Sequence, residues 1–318
     1  MPKPLVTVIC ISYNHERFIG QAIDSVINQT YEQIQIIIID DGSADNSASV
    51  ITQFKVKYNS LEVLLLTQNV GNCAAFNTAY ALAKGSFIVD FATDDVMMPD
   101  RIEKQVRQFE QYGDDVGIVF TDATYIDEKG KFIRNHFEHL LKFGLILKVP
   151  RGDVYRSVLE RYFIPSPTAL IRRQVIDQLG GYDEKLSYED FDLFVRASRL
   201  FKFEFLDERL TAVRKLSKSM STELYKRNDK QLMSTYDVCL KATKLNRDAG
   251  DNLALIGRVR YELRQSVITE NHLEATAFFK LLNTLDGLRF ADRLTFFGSI
   301  MRLPLKGFRN IYIKVRFG

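Results

Sequence analysis

The chain has 318 residues, 46% hydrophobic and 26% charged, the proportions of a soluble globular protein that is longer than one ordinary domain and has a sizeable core. A formal net charge of +3 is too small to indicate a nucleic-acid partner, and no uncharged apolar run approaches the roughly 18–20 residues of a membrane-spanning helix. Cys10, Cys73 and Cys239 are odd in number, far apart and without zinc spacing, which predicts buried thiols in a reducing cytoplasm.

The N-terminal residues 1–4 lack a signal-peptide layout and lead into residues 5–11, an apolar, β-branched run expected to form a strand buried on both faces. Phe18, Ala22, Ile23, Val26 and Ile27 then recur at helical spacing. Residues 34–39 predict a second strand, ending at Asp40-Asp41-Gly42-Ser43, and a helix follows over 47–58. A third strand is expected over 61–66, a helix over 74–83 and a fourth strand over 87–91, which stops at Thr93-Asp94-Asp95. Such alternation argues for a parallel sheet with helices on both faces, whose ligands bind beyond the carboxyl ends of the strands. The polar clusters all follow strands and should gather on one rim.

From Gly117 the pattern loosens. A strand is expected over 117–121, a hairpin over 124–133, a helix over 153–162, a strand over 168–171 and a turn at 179–183. A helix over 189–200 opens with acidic side chains, short strands are expected at 203–206 and 212–213, and the chain turns helical after about 221.

Asp40-Asp41-Gly42-Ser43 reads equally as a helix start, since Ser and Asp cap helices and Gly permits the turn. The adjacent carboxylates Asp94 and Asp95 repel unless a cation or hydrogen-bond donors compensate, and carboxylates suit Mg²⁺ or Mn²⁺ holding a diphosphate. Asn69-Val70-Gly71-Asn72, with Asn77, offers amides at the same edge. Glu189-Asp190 opens a helix, where acidic residues suit the dipole but one carboxylate can also serve as a general base. A dinucleotide-dependent oxidoreductase would need a glycine-rich turn after the first strand, where this chain has Ser12-Tyr13-Asn14-His15.

The order Val8 to Asn14, Asp40 to Ser43, Asn69-x-Gly71 with Asn77, Thr93-Asp94-Asp95, and Gly180 to Glu184 with Glu189-Asp190 resembles family 2 glycosyltransferases across roughly residues 4–222. The resemblance implies an α/β fold of the GT-A (Rossmann-like) type, a mainly parallel sheet flanked by helices. Residues 1–222 would form the catalytic domain (1–116 for the nucleotide sugar, 117–222 for the acceptor), and 223–318 a helical, basic extension. It further implies inverting transfer of a sugar from a nucleoside diphosphate, UDP first among the candidates, to an acceptor hydroxyl of a glycan or lipid-linked glycan. Tyr13 and Asp41 would hold the nucleobase beside the backbone of Ile11, with Asn69 and Asn77 on the donor side. Asp94 would contact the ribose or sugar, Asp95 with Asp94 would bind Mn²⁺ or Mg²⁺, and Asp190 would be the base, with Glu189 beside it.

Three positions depart from the family pattern. Ala92 stands where an acidic residue is usual, Phe76 where an arginine is common, and Leu216 where many members carry a histidine ligand; Lys215 or Lys218 could supply positive charge instead. These departures keep a second reading open, a catalytically silent nucleotide- or glycan-binding module. His136 and His139 read as solvent-facing polar residues, and His15 and His272 receive no role.

Residues 286–318 hold seven basic residues and two acidic ones. Phe290, Leu294, Phe297 and Met301 recur at helical spacing, as do Phe308, Ile311, Tyr312 and Val315 beyond Pro304. A basic amphipathic helix of this kind is expected to lie in a membrane interface, on the inner face of the plasma membrane. The alternative is a helix packing its apolar stripe on the catalytic domain.

Overall fold

The computed structural model describes residues 3–216 and 225–301. The chain forms two compact units, each assembled from separated stretches: Met1–Asp153, Ile164–Glu184 and Leu200–Leu216 in the first, and Val154–Phe163, Lys185–Arg199 and Ser217–Gly318 in the second.

The first unit is built on a nine-stranded sheet. Strands β1 (Val6–Ser12), β2 (Ile34–Asp40), β3 (Glu62–Leu65) and β4 (Phe87–Ala92) run parallel in the order β3-β2-β1-β4. They alternate with α1 (Ile19–Ile27), α2 (Ser47–Lys57) and α3 (Asn72–Tyr80). Every residue of β1 is buried, as expected of a central parallel strand covered on both faces. Val8, Cys10, Ile38, Val89 and Phe91 meet Ile19, Ile23 and Val26 of α1 in one core.

After the short β5 (Val96–Met97), α4 (Arg101–Phe109) packs on this core. Sequence periodicity predicts no helix here, because its inner face carries two polar residues, Arg101 and Gln105, both fully buried. Gln105 and one arm of Arg101 reach backbone carbonyls, while Arg101 Nη1 is left without a partner among the described residues. Gln105 Nε2 donates to Val119 O and Thr168 O at 2.8 Å each, and Arg101 donates to Gln105 Oε1 at 3.0 Å and to Ala169 O at 3.3 Å.

The sheet continues beyond β4 with mixed pairing. β6 (Val116–Ile126) pairs antiparallel with β7 (Phe132–Asn135) and β8 (Leu170–Arg172) and parallel with β9 (Lys202–Arg214). β8 in turn pairs antiparallel with β4, and β5 with β9. The parallel order expected for the first half therefore holds, while the second half is mixed. The two short strands expected at 203–206 and 212–213 are one strand, β9, whose register against β6 slips near Asp122. Helices α5 (His136–Lys142) and α7 (Arg173–Leu179) complete this unit.

The described residues of the second unit form α6 (Tyr155–Glu160), α8 (Glu189–Ala197), α9 (Lys230–Leu245), α10 (Ala249–Ile268), α11 (His272–Thr284) and α12 (Phe290–Ile300). α10 contacts α6, α9, α11 and α12 and buries Leu255, Val259 and Leu263 completely. Its Arg258 and Glu262 form a buried pair at 2.9 Å, the guanidinium lying over the Phe191 ring at 4.3 Å. Two helices that the sequence placed with the acceptor side, α6 and α8, belong to this unit. No helix among the described residues is long and apolar enough to cross a membrane.

Candidate active site

The register of the parallel strands gathers the polar clusters on one edge. Ser12 stands beside Asp40, Ile11 beside Ala92, and Asp40 beside Leu65. The segments that follow β1, β2, β3 and β4 therefore leave the sheet together.

Asp41 is buried, and its carboxylate is already occupied. Oδ1 accepts from Val70 N at 2.7 Å, and Oδ2 from Gly71 N at 3.0 Å and Asn69 Nδ2 at 2.9 Å. Asp41 thus fastens the loop after β3 to the end of β2, and Asn69 belongs to the same fastening. Asp40 turns the other way, accepting from Ser43 N and Ser43 Oγ at 3.0 and 2.6 Å. Gly42 lies between them at φ +67°, with room for no side chain: a Cβ would stand 2.4 Å from Gln68 C.

Ser43 continues the network. Its Oγ accepts from Asn14 N at 2.8 Å, and Asn14 Oδ1 accepts from Ala44 N at 2.8 Å. Asn14 is left-handed at φ 58°, a conformation Asn tolerates. The Tyr13 ring beside it is 46% exposed, available to a ligand. The Ile11 carbonyl accepts from Thr93 N and Thr93 Oγ1 at 3.0 and 3.1 Å, and Thr93 Oγ1 lies 2.9 Å from His15 Nδ1. Neither Thr93 nor His15 has a part of its own on sequence alone; their pairing across 78 residues has no local signature.

Asp94 is half-buried, while Asp95 is only 3% exposed. Burial, followed by the neighbouring Asp94, pushes the Asp95 carboxyl well above the usual carboxylate range. Asp95 Oδ1 accepts from Arg214 N at 2.8 Å. The Arg214 guanidinium donates to Asp94 O at 2.9 Å, Asp127 O at 3.1 Å and Gln21 Oε1 at 2.9 Å, and stacks over Phe18. One side chain at the end of β9 thereby fixes the acidic pair against the turn at Asp127 and against α1. Sequence alone assigns Arg214 no role, because the partners of its guanidinium lie 87 to 193 residues away in the chain.

Lys215 supplies part of the positive field at Asp94 and Asp95. Burial, then Arg134, lowers its pKa, and the two carboxylates oppose that shift. Its ammonium lies 4.5 Å from the Tyr125 ring centroid. Lys218 lies outside the described residues. Among the described residues no group of three or more His, Cys, Asp or Glu side chains could hold a metal ion. The two adjacent carboxylates are nonetheless hard oxygen ligands of the kind Mg²⁺ and Mn²⁺ take when a diphosphate completes the shell. Their mutual repulsion is what a cation would relieve, so the residues present fit such an ion.

Asn77 is occupied on both sides of its amide. Nδ2 donates to Tyr182 O at 3.0 Å and Glu184 Oε1 at 2.9 Å, and Oδ1 accepts from Tyr182 N at 3.0 Å. Gly181, at φ +82°, is the close approach here: a Cβ would meet Asn77 Oδ1 at 2.6 Å. Tyr182 Oη donates to Asp90 Oδ2 at 2.8 Å. The Gly180-Gly181-Tyr182 turn is thus locked onto α3, and Asn77 acts in that lock.

Glu189 and Asp190 open α8 in the second unit, Glu189 buried and Asp190 half-buried. The same helix is anchored by Asp192, which accepts from Arg196 at 2.7 Å and Lys241 Nζ at 2.8 Å. Its Phe191 and Phe194 join Tyr162 and Tyr188 in an aromatic cluster.

A parallel half-sheet with polar loops on its carboxyl edge, extended by mixed strands, is the GT-A fold of nucleotide-sugar glycosyltransferases. The structure aligns with S. aureus TarS 1–349, solved in complex with UDP-GlcNAc, at a TM-score of 0.68 and 15% identity over 96% of this chain and 92% of that one. It aligns with the mannosyltransferase PcManGT from Pyrobaculum calidifontis, in complex with GDP-Man and Mn²⁺, at 0.62 and 15% over 96% and 88%. The model of glycosyl transferase family 2 matches residues 7–180, and the chain belongs to that family. The O-antigen biosynthesis glycosyltransferase WbnJ of Escherichia coli is 30% identical over 60% of this chain and 71% of its own length. The chain spans between 35% and 63% of the length of four other curated glycosyltransferases it matches.

Proposed function

We propose that the protein transfers a sugar from a nucleoside-diphosphate sugar, a UDP-sugar, to a hydroxyl of a glycan or lipid-linked glycan acceptor, with inversion at the transferred carbon. The reaction would serve synthesis of a surface polysaccharide or glycoconjugate in the cytoplasm. The observation that carries this reading is the convergence of the Asp41–Asn69 loop, Tyr13 and the Asp94–Asp95 pair at the carboxyl edge of β1, β2 and β4. UDP-GlcNAc in TarS and the O-antigen role of WbnJ support the donor class and the product class.

In this reading the exposed Tyr13 ring stacks on the base, and the Asp41-fastened loop walls its pocket. Asp94 would face the ribose or the sugar, and Asp95 with Asp94 would hold Mn²⁺ or Mg²⁺. A cation bound there would offset charge on the departing diphosphate. Lys215 adds positive charge beside Leu216, the position at which many members of the family carry histidine. Asp190 takes the proton from the acceptor hydroxyl as its oxygen forms the new bond to the sugar carbon and the diphosphate leaves from the opposite face. A base of that kind contributes about 10²–10⁴ in rate. Glu189 shapes the charge beside it.

Thermal unfolding with UDP, dTDP and GDP, each with and without Mn²⁺, tests the donor site. A ligand at a hundred times its dissociation constant adds about 2.7 kcal/mol, and Asp95→Ala should abolish the Mn²⁺-dependent part. Asp190→Asn should retain the nucleotide shift and lose transfer. The second reading, a catalytically silent nucleotide- or glycan-binding module, rests on Ala92 and Leu216, which depart from the family's acidic residue and histidine. A nucleotide shift without any turnover of sugar donor across a panel of glycan acceptors would decide for that second reading.

A further inference from the structure

Helix α12 presents two opposite faces. Asp292, Phe296 and Ser299 hold it to the second unit. Arg260 Nε donates to both Asp292 oxygens at 3.0 and 3.2 Å, Phe296 stacks on Phe279 at 4.1 Å between centroids, and Ser299 Oγ lies 2.7 Å from His272 Nδ1. At about 100° of rotation per residue, Phe290, Leu294, Phe297 and Met301 lie roughly opposite that anchoring face. They are 77%, 57%, 56% and 56% exposed, and Ile300 beside them is 62% exposed. Among the described residues, none covers this stripe.

Charge selects the occupant. The only acidic residue of α12, Asp292, is buried and neutralised by Arg260, while Arg289 and Arg293 are exposed. Residues 302–318 add five basic residues and no acidic one. An apolar stripe flanked by exposed cations, with its one anion turned inward, complements a surface that is negative at its face and apolar beneath.

We propose that α12 docks in the interface of an anionic lipid bilayer, with Phe290, Leu294, Phe297 and Met301 entering the acyl boundary and the arginines at the headgroups. The helix lies in the plane of the surface and does not cross it. Nothing in this depends on the donor or the reaction.

The test is flotation of the full chain with vesicles of phosphatidylcholine alone or of equal parts phosphatidylcholine and phosphatidylglycerol, at low and high salt. Binding is expected only to the phosphatidylglycerol vesicles and should weaken with salt. The double variant L294Q/F297Q should bind on the order of tenfold more weakly or less, and R293E should lose roughly fivefold or more for the arginine removed. All of these positions are exposed, so thermal unfolding should match the parent and exclude misfolding. Absence of binding to anionic vesicles overturns the proposal. So does binding that L294Q/F297Q leaves unchanged, which would assign attraction to residues 302–318 alone. A dimer in solution that L294Q/F297Q dissociates, without vesicle binding, would show that a second copy covers the stripe and would equally overturn it.

Discussion

Replacing Asp41 by Asn tests what the acidic pair after β2 does. The carboxylate accepts three hydrogen bonds from the 69–71 loop, two of them from backbone amides. An asparagine can keep one acceptor oxygen but turns an N–H toward one or two of these donors. Hydrogen bonds to a charged group are worth about 1.5–3 kcal/mol each. Val70 is exposed and Gly71 half-buried, so water can replace part of the loss, and the net cost should be about 2 kcal/mol. For a cooperative unit of this size each kcal/mol lowers Tm by about 2–4 °C, giving about 4–8 °C. Thermal unfolding measures the shift, and amide hydrogen exchange at Val70 and Gly71 locates it. UDP affinity should fall along with loop protection. An unchanged Tm and intact protection, together with lost UDP binding, would refute the reasoning; Asp41 would then be a direct ligand of the base.

Gly42→Ala should destabilise by more than about 1 kcal/mol, because φ +67° is strained for alanine and its Cβ would meet the 68–69 backbone; calorimetry showing no loss would contradict the close approach. Asp95→Asn should leave the ligand-free protein as stable as the parent or more so while abolishing transfer. It removes a buried charge beside Asp94 and retains an oxygen for Arg214 N, so paired unfolding and activity assays check it. Burial works against the Asp45 carboxylate, yet Ser47 Oγ and the amides of Glu16 and Ser47 hold it below the usual range. Its contribution to stability is therefore present above the unfolded value of about 3.9 and is lost as pH falls through the lower folded value. Acid unfolding of Asp45→Asn should show a shallower dependence below about pH 4 than the parent. Arg260→Met should cost about 3–5 kcal/mol by leaving Asp292 buried and unpaired, and limited proteolysis should then cut near residues 287–292.

The first half of the fold was legible because its central strand β1 is buried on both faces and its strands carry no conflicting period. The edge on which Asp41, Asn69 and Asp94 would gather followed from that alternation alone. What those residues touch was not legible. Asp41 and Asn77 read as groups aimed at a ligand, but the structure engages both in holding loops, the first at 69–71 and the second at 181–184. Polar side chains leave the same trace in sequence whether they face a ligand or a backbone amide. The missing α4 has a related cause: its buried Arg101 and Gln105 break the apolar stripe that marks a helix face, and their compensation comes from Val119, Thr168 and Ala169, far away in the chain. Helix α5 escaped notice because its His136 and His139 read as surface residues, whereas His136 Nδ1 lies 3.1 Å from Tyr125 Oη. The stripe on α12 was legible in full; only the structure could say which way it faces.

The second unit draws on three stretches of chain, and α10 from the last of them covers α6 from the first. For recombination between relatives this makes residue 222 a poor crossover point. A gene joined there would combine α6 and α8 from one parent with α9 to α12 from another, and Arg156 would have to find a foreign partner for Asp248 and Asp251. Changes in this helical unit should therefore accumulate as matched substitutions in the stretches that pair, rather than by exchange of the tail as a cassette.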